Sequence, residues 1–270
     1  MNSPKDFNTD WRKVASTIYR KPIDSKIYGS VEIDVTELEK FVSEKRKQGI
    51  KTTLTHIITL IIGRALKYEV PELNTFVRRG KIVPRPRVDG MVSVLLEGGQ
   101  MGSVKIENID RLNVAELAEE IKNKIQQSRM GNENSTMQSK NMLASFPWPF
   151  RFWFFKLYRL VTIHWGISLP FFGLSANSFG SYVVSNIGTL GLDSGYGALL
   201  PSANVSIVMI LGGVTKKPVI VNDEIVPRKI LSLSATLDHR VVDGSHGGKL
   251  FRFIKQMVKN PHLLENFPKE

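Results

Sequence analysis

Cysteine is absent from this chain of 270 residues. Its absence excludes disulfide bonds, thiolate metal sites and a cysteine nucleophile, and it is typical of the reducing cytoplasm, where we expect the protein to be. The first residues also lack the charged and then apolar layout of a secretory signal. No His, Asp or Glu residues have the spacing of metal ligands, and no glycine-rich loop joins a strand to a helix as nucleotide folds require. We therefore expect no metal ion.

Acidic residues are few relative to basic ones. The sequence has 37 Lys and Arg against 25 Asp and Glu, which gives a formal net charge of +12. This excess favours an anionic partner, and the candidates are a nucleotide-bearing cofactor such as coenzyme A, an acidic carrier protein, a membrane surface or nucleic acid. A chain of this length can bury a large core, so we expect residues 1–270 to form a single domain of mixed α/β fold.

The hydrophobic pattern of the first half predicts both strands and helices. Val31, Ile33 and Val35 alternate as in a strand, and Thr36 with Glu39 has the spacing of a capping box for a helix that ends at Gly49. Further predictions are a buried helix over 57–66, a turn at Arg79-Gly80, an amphipathic helix over 112–128 and a mobile loop over 131–141.

His239 is the first candidate for catalysis because it ends an alternating run and lies four residues before Asp243. The run over 231–237 is apolar at every second position, which is typical of a half-buried strand. Gly244 then leads into a stretch of helical spacing that stops before Pro261. An imidazole at such a turn can accept a proton from an alcohol or thiol near neutral pH and return it later. The alternative for the bare pattern is a loop histidine beside a solvated aspartate.

The sequence around His239 points to a known family. Residues 233–244 (LSATLDHRVVDG) closely resemble the active-site signature of the dihydrolipoamide acyltransferases, the catalytic cores of 2-oxoacid dehydrogenase complexes. Chloramphenicol acetyltransferase shares their fold and signature. Residues 180–188 resemble the family's serine-asparagine-glycine segment, and Lys217-Pro218-Val219 with Arg228 fits the hairpin between these two motifs. Weaker similarity lies at 31–36 and 71–74, and the resemblance covers residues 10–128 and 180–265.

This resemblance implies a fold and an assembly. The expected fold is α/β (α+β), a two-layer sandwich of the chloramphenicol acetyltransferase type with a mixed sheet and helices on one face. The family assembles as trimers with active sites between subunits, so we expect a homotrimer or a multiple of three. The expected activity is coenzyme A-dependent transfer of an acyl group from an acyl-CoA thioester to a thiol, hydroxyl or amine acceptor, on a small molecule or a carrier.

The resemblance also implies roles for four residues. His239 would be the general base, and Ser185 would donate a hydrogen bond to the oxyanion of the tetrahedral intermediate. Arg12 lies in a stretch, Asp10-Trp11-Arg12-Lys13, that resembles the amino-terminal stretch of chloramphenicol acetyltransferase, and it would pair with Asp243 to fix the site. The alternative for Ser185 is a serine that caps a turn, and the alternative for Arg12 is a solvated arginine on the first helix.

Two features depart from the family pattern. No lipoyl-bearing module precedes the catalytic region, so we expect no lipoyl group on this chain. Residues 142–179 are richer in aromatic and apolar residues than the family leads us to expect, and within them the 150–160 stretch also carries basic residues. The interpretations are a core or trimer-facing helix, an acyl-chain pocket, or a contact with an anionic membrane surface that would make the protein peripheral at a membrane. A transmembrane helix is disfavoured because glycine and proline interrupt the following run.

Two other classes of function remain open. One is a non-catalytic scaffold or regulatory paralogue of the acyltransferase core, although the joint presence of His239, Asp243 and Ser185 argues against it. The other is a basic protein whose function is binding to a membrane surface or to nucleic acid, of which we expect the nucleic acid least.

Overall fold

The core of the protein is a six-stranded mixed sheet. The computed structural model describes residues 7, 25–95, 101–129, 147, 150–168, 177–200 and 203–265. The strands are β1 (Lys26–Asp34), β4 (Gly90–Leu95), β5 (Met101–Ile106), β6 (Tyr182–Asn186), β7 (Ile207–Val221) and β8 (Glu224–Asp238), and β2 (Thr75–Arg78) with β3 (Lys81–Pro84) forms a separate hairpin. The order in the sheet is β1-β8-β7-β6-β4-β5.

Both parallel and antiparallel pairs occur in this sheet. Strand β6 runs parallel to both of its neighbours, β4 and β7, whereas the outer pairs β1-β8, β7-β8 and β4-β5 are antiparallel. A parallel strand needs a crossover connection, and the long chain between β5 and β6 provides it. The sheet is therefore mixed, as the sequence resemblance implied.

Helices supply the second layer. They are α1 (Thr36–Lys47), α2 (Leu54–Tyr68), α3 (Val114–Arg129), α4 (Phe150–Tyr158) and α5 (Gly244–Lys259). Helix α2 lies in the centre of the main core, and its residues from Ile57 to Leu66 are all buried. Leu233 and Ala235 of β8 face this core, as do Leu250 and Ile254 of α5. The predicted buried helix and the predicted two-layer architecture are thus confirmed.

The predicted capping box at Thr36 is wrong. Thr36 is the first residue of α1 and Val35 is the N-cap, whose side chain cannot accept a hydrogen bond. The carboxylate of Asp34 instead accepts from Thr36 N at 2.9 Å and from Thr36 Oγ1 at 2.6 Å. The helix ends at Lys47, just before Gly49, which has a φ of +87°. Local sequence could not separate these arrangements because Asp34 and Thr36 are both good capping residues.

Strands β7 and β8 form one long hairpin that extends beyond the sheet. Asn222 and Asp223 both have positive φ at its tip, which is the geometry of a two-residue type I′ turn. Ile220 and Ile225 lie opposite each other next to this turn and are about three-quarters exposed (75% and 76%). Pro218 and Pro227 also face each other, and Lys217 pairs with Arg228. The hairpin predicted around Lys217 and Arg228 is confirmed, as is the Arg79-Gly80 turn between β2 and β3.

The aromatic segment predicted to be unusual contains a short helix. Helix α4 continues into a π-helical turn, Arg159–His164, in which Thr162 and Ile163 are buried. Across the described parts of the chain, no helix combines the length and the apolar character needed to cross a membrane. The loop predicted over 131–141 lies outside the described residues, as do 142–146 and 169–176, and the single-domain interpretation of residues 1–270 stays a prediction.

Candidate active site

His239 lies immediately after β8, where the chain turns towards α5. Its N–H donates to the Ser25 carbonyl at 2.6 Å, which ties the turn to the residue before β1. Val241 N and Val242 N both donate to the Asp238 carbonyl, at 3.0 and 3.3 Å, so the turn is tight. The strand, turn and helix predicted around His239 are therefore confirmed.

The imidazole of His239 is held through one of its nitrogens. Nδ1 lies 2.8 Å from the carbonyl oxygen of Val242 and 3.4 Å from Oδ1 of Asp243. A carbonyl oxygen only accepts hydrogen bonds, so this contact favours the tautomer with its proton on Nδ1. The lone pair of the neutral ring then lies on Nε2, which is the nitrogen that can accept a proton from a substrate. The side chain of His239 is 26% exposed, so it is partly accessible.

Asp243 joins His239 to helix α5. It occupies the N-cap position, and its backbone N–H donates to Nδ1 of His246 at 3.1 Å. Nε2 of His246 in turn lies 3.6 Å from Oε1 of Glu72, in the short helix before β2. Sequence reasoning assigned no role to His246, yet the three-residue spacing from Asp243 is that of a capping box. That spacing was the signal for a role in fixing the turn.

A buried ion pair also supports the turn and was missed from the sequence. Arg240 Nε lies 2.9 Å from Asp238 Oδ1, and Arg240 Nη2 lies 2.5 Å from Asp238 Oδ2. Both side chains are buried, and the pair joins the two residues that flank His239. Two hydrogen bonds between a planar guanidinium and a carboxylate fix direction as well as distance. An Asp-x-Arg pattern around a candidate base was the available signal.

Ser185 lies in β6, on the sheet face opposite the helices. Its neighbours Tyr182 and Val184 face the main core, whereas Val183 packs in a smaller cluster with Val208 and Ile210 on the other face. Because side chains alternate along a strand, Ser185 shares the face of Val183. The side chain of Ser185 is half-buried.

The next residue, Asn186, connects β6 to the start of α2. Its Nδ2 donates to Thr55 Oγ1 at 2.9 Å. His56 follows Thr55, and burial, with a smaller contribution from Arg46, lowers the pKa of His56 to about 4. His56 is therefore neutral at physiological pH.

Ser185 and His239 are far apart within one chain. Ser185 aligns with Ile210 of β7, and Ile210 aligns with Ser234 of β8, so two strand spacings of about 4.8 Å separate Ser185 from Ser234. His239 lies further along β8, by about 3.3 Å for each residue beyond Ser234. The two backbones are thus roughly 15–20 Å apart. One chain cannot place both side chains against one carbonyl group.

Arg12 lies outside the described residues, so its predicted pairing with Asp243 stays a prediction. Among the residues that the structure does describe, no group of three or more His, Asp or Glu side chains could hold a metal ion. The expectation that the protein needs no metal likewise stays a prediction.

The mixed sheet, the helical layer and the turn at His239 together define a class of protein. It is a catalytic domain with a histidine at the end of a strand, held in place by backbone groups. Within that class, the chain belongs to the 2-oxoacid dehydrogenases acyltransferase (catalytic domain) family, whose model matches residues 12–141 and 176–265. It is 25% identical over 269 residues to the dihydrolipoyllysine-residue acetyltransferase component of the Rickettsia bellii pyruvate dehydrogenase complex, covering 95% of this chain and 53% of the relative. The chain thus spans about half the length of the curated relatives it matches.

Solved structures show the same fold. A probable dihydrolipoamide acetyltransferase from Listeria monocytogenes aligns with a TM-score of 0.62 at 20% identity, over 93% of this chain and 88% of the other. The dihydrolipoamide acetyltransferase of Azotobacter vinelandii aligns with a TM-score of 0.64 at 18% identity, over 94% and 87%. A chloramphenicol acetyltransferase aligns with a TM-score of 0.52 at 12% identity, over 96% and 100%. The fold predicted from the sequence is confirmed.

Proposed function

We propose that this protein transfers an acyl group from a coenzyme A thioester to a thiol, hydroxyl or amine acceptor, with His239 as general base and Ser185 as oxyanion donor. The observation that carries the proposal is the contact of His239 Nδ1 with the Val242 carbonyl, because it leaves Nε2 as the basic nitrogen of the ring. A histidine without such a contact would not have a defined tautomer or direction.

The reaction proceeds through a tetrahedral intermediate. His239 Nε2 removes the proton from the acceptor while the acceptor's heteroatom forms a bond to the thioester carbonyl carbon. The Ser185 hydroxyl donates a hydrogen bond to the oxygen that becomes negative. When the intermediate collapses, the carbon–sulfur bond breaks, and the imidazolium returns its proton to the coenzyme A sulfur. Asp243, 3.4 Å from Nδ1, stabilises the imidazolium between these two steps.

The site is shared between two chains in this proposal. The separation of roughly 15–20 Å within a chain means that His239 of one copy would act with Ser185 of a neighbour. Arg12 would hold Asp243 through a charge-assisted pair. A structurally similar protein forms the cubic core of a pyruvate dehydrogenase multienzyme complex. Chains of this fold therefore do assemble with one another in a similar protein.

The similar enzyme from Azotobacter vinelandii supports these roles. Crystallographic and enzymatic work on it concerns a serine, a histidine and an asparagine in its catalytic mechanism. Its histidine and asparagine are four residues apart, as His239 and Asp243 are here. Asp243 differs from the asparagine of that enzyme, because a carboxylate brings a negative charge that an amide does not. The relatives are named for a dihydrolipoyllysine residue, so a dihydrolipoyl thiol on a separate molecule is the first acceptor to test.

The test is subunit complementation. His239→Ala should lower the rate of acyl transfer by about 10² to 10⁴ through loss of the base, and Ser185→Ala by about 10² to 10³ through loss of the oxyanion donor. An equal mixture that has exchanged subunits should regain about a quarter of the wild-type rate, because that share of interfaces carries both intact residues. The measurement is the formation of free coenzyme A and of S-acyl dihydrolipoyl product, separated by chromatography, from a panel of acyl-CoA thioesters. A total thiol count would not change, because one thiol replaces another.

Three results would contradict the proposal. Near wild-type rates in both variants would exclude the assigned residues, and a wild-type protein that releases no thiol from any thioester would favour a non-catalytic role. A lack of recovery after confirmed exchange would exclude the shared site. His262→Ala is the matched control, since His262 is 67% exposed on the short helix after α5 and should leave the rate unchanged.

A further inference from the structure

The aromatic segment lies outside the part of the chain that the family model matches. The matched residues end at 141 and resume at 176, so the family model does not describe residues 142–175. Its described part consists of helix α4 and the π-helical turn, with the residues up to Ser168. The family model therefore gives no account of the surface that this segment presents.

That surface is apolar and exposed. Phe150, Trp153 and Leu157 of α4 are 65%, 62% and 58% exposed. Their spacing of three and four residues places them on one side of the helix. The exposure continues beyond the helix at Leu160, Trp165 and Ile167. Single exposed apolar residues are ordinary, but six of them within eighteen consecutive residues are typical of a binding surface. We call these six residues the aromatic face.

Positive charge borders the aromatic face. Lys156 Nζ lies 4.8 Å from the ring centroid of Phe152 and 5.1 Å from that of Trp153. Arg78 of β2 lies against Gly166, where an added Cβ would collide with its guanidinium. Arg79 and Lys81, at the turn of the same hairpin, are exposed. The sequence has no Asp or Glu between residues 134 and 192.

We propose that the aromatic face binds the surface of a lipid bilayer that contains anionic phospholipids. Helices that lie in the headgroup region have Trp, Phe and Leu on one side and Lys or Arg beside them, which is the composition found here. A helix of nine residues spans only about 14 Å and is too short to cross a bilayer. The chain carries a formal net charge of +12, so an anionic surface is a better electrostatic match for the basic residues beside this face than another copy of the chain.

Vesicle sedimentation tests the proposal directly. The intact protein should pellet with vesicles of phosphatidylcholine and phosphatidylglycerol, and much less with phosphatidylcholine alone, because each basic residue near an anionic surface adds attraction. Raising the salt concentration should weaken binding. Three of the four tryptophans lie between residues 148 and 165, so lipids with brominated acyl chains should quench tryptophan fluorescence on binding. A wild-type protein that ignores anionic vesicles in both assays would overturn the proposal.

Matched variants separate the aromatic face from the rest of the surface. Leu157→Ser should weaken vesicle binding by about tenfold or more through loss of buried apolar area. Leu263→Ser is the control, because Leu263 is 45% exposed and lies after α5, outside the aromatic face. It should not change vesicle binding. Lys156→Glu should weaken binding to anionic vesicles by about tenfold or more, since it changes the charge by two units. Lys122→Glu makes the same change at an exposed site on α3 and should leave binding unchanged.

The remaining outcomes are also decisive. Equal losses in Lys156→Glu and Lys122→Glu would mean that net charge alone attracts the protein, and the aromatic face would have no special role. If Leu157→Ser changed the mass of the assembly or made the protein insoluble, and Lys156→Glu bound vesicles like the wild type, the face would be covered by another copy or by the chain itself. Either result would overturn the proposal.

Discussion

Asp238 and Arg240 form a buried ion pair on either side of His239. Arg240→Met should lower the free energy of unfolding by about 3–5 kcal/mol, because it leaves the Asp238 carboxylate without its guanidinium partner in a buried position. The variant Asp238→Asn/Arg240→Met should recover a substantial part of this loss, since no unpaired charge then remains. Urea denaturation of the single and double variants measures both effects.

The matched control for this pair is Arg252→Met on α5. Arg252 is exposed, so its replacement should change the free energy of unfolding by less than about 0.5 kcal/mol. A double variant as unstable as Arg240→Met alone would show that the cost arises from packing and not from the orphaned carboxylate.

His56 should make stability depend on pH. Burial lowers the pKa of His56 to about 4 in the folded chain, whereas the unfolded chain takes up this proton near pH 6.5. The unfolded state therefore binds more protons between these values, and stability falls as the pH drops from 6.5 to 4. The loss from this group should reach on the order of 3 kcal/mol, with no further loss below pH 4.

Comparison with a variant isolates this contribution, because carboxylates also titrate in acid. His56→Gln should show a smaller fall in the free energy of unfolding between pH 6.5 and 4 than the wild type, measured by urea denaturation at each pH. His262→Gln, at an exposed site, should follow the wild type. Parallel curves for the wild type and His56→Gln would refute the lowered pKa of His56.

Individual residues of the site differ in how far sequence reveals them. His239, Asp243 and Ser185 could be named because they are residue types capable of the proposed chemistry and lie in recognisable motifs. The contact that orients His239 could not, because the acceptor is the backbone carbonyl of Val242, and every residue has one. The separation of Ser185 from His239 follows from strand register, which no local motif encodes.

At the scale of elements, helix α2 packs so closely on Ile109 and on β6 that a glycine is required at position 63. An added Cβ at Gly63 would lie 2.6 Å from Ile109 Cγ2 and 3.1 Å from the Tyr182 hydroxyl. That hydroxyl donates to the Thr59 carbonyl at 2.6 Å, so it is not free to move away. Gly63→Ala should lower the free energy of unfolding by about 1–3 kcal/mol through overpacking, although alanine favours a helix.

Gly248→Ala is the matched control within helix α5. Its Cβ would meet only the end of the flexible Arg252 side chain, at 4.0 Å. The higher helix propensity of alanine should therefore raise the free energy of unfolding by about 0.5–1 kcal/mol. Thermal or urea denaturation of both variants gives the comparison. A Gly63→Ala protein as stable as Gly248→Ala would mean that α2 can move away from Ile109 and β6.

Elements with a clear period were predictable, and their arrangement was not. The alternation in β8 and the helical spacing in α5 identify both elements and their buried faces. The order of strands could not be derived in the same way, because β6 lies between β4 and β7 and pairs with a strand some ninety residues earlier. Only the resemblance to a known family indicated a mixed sheet.

At the scale of the whole molecule, the proposed shared site implies association. If His239 and Ser185 act on one carbonyl group, at least two copies must meet, and among the closed rings that give every copy an identical site the family resemblance favours three-fold symmetry. Light scattering at several protein concentrations should therefore report a mass that is a multiple of three chains. A fully active protein with the mass of a single chain would contradict both the assembly and the shared site.

The facing prolines of the β7-β8 hairpin have a consequence for aggregation. Beyond the sheet, both edges of this arm lack a neighbouring strand among the described residues, and such edges can recruit further chains into open-ended stacks. Next to a type I′ turn, residue pairs that hydrogen-bond to each other alternate with pairs whose backbone N–H and C=O groups point away from the hairpin. Pro218 and Pro227 form a pair of the second kind. Each edge of the arm therefore lacks one backbone N–H at this pair. An added strand could not form a complete set of hydrogen bonds along either edge. The arm can project from the molecule without acting as a seed for fibrils.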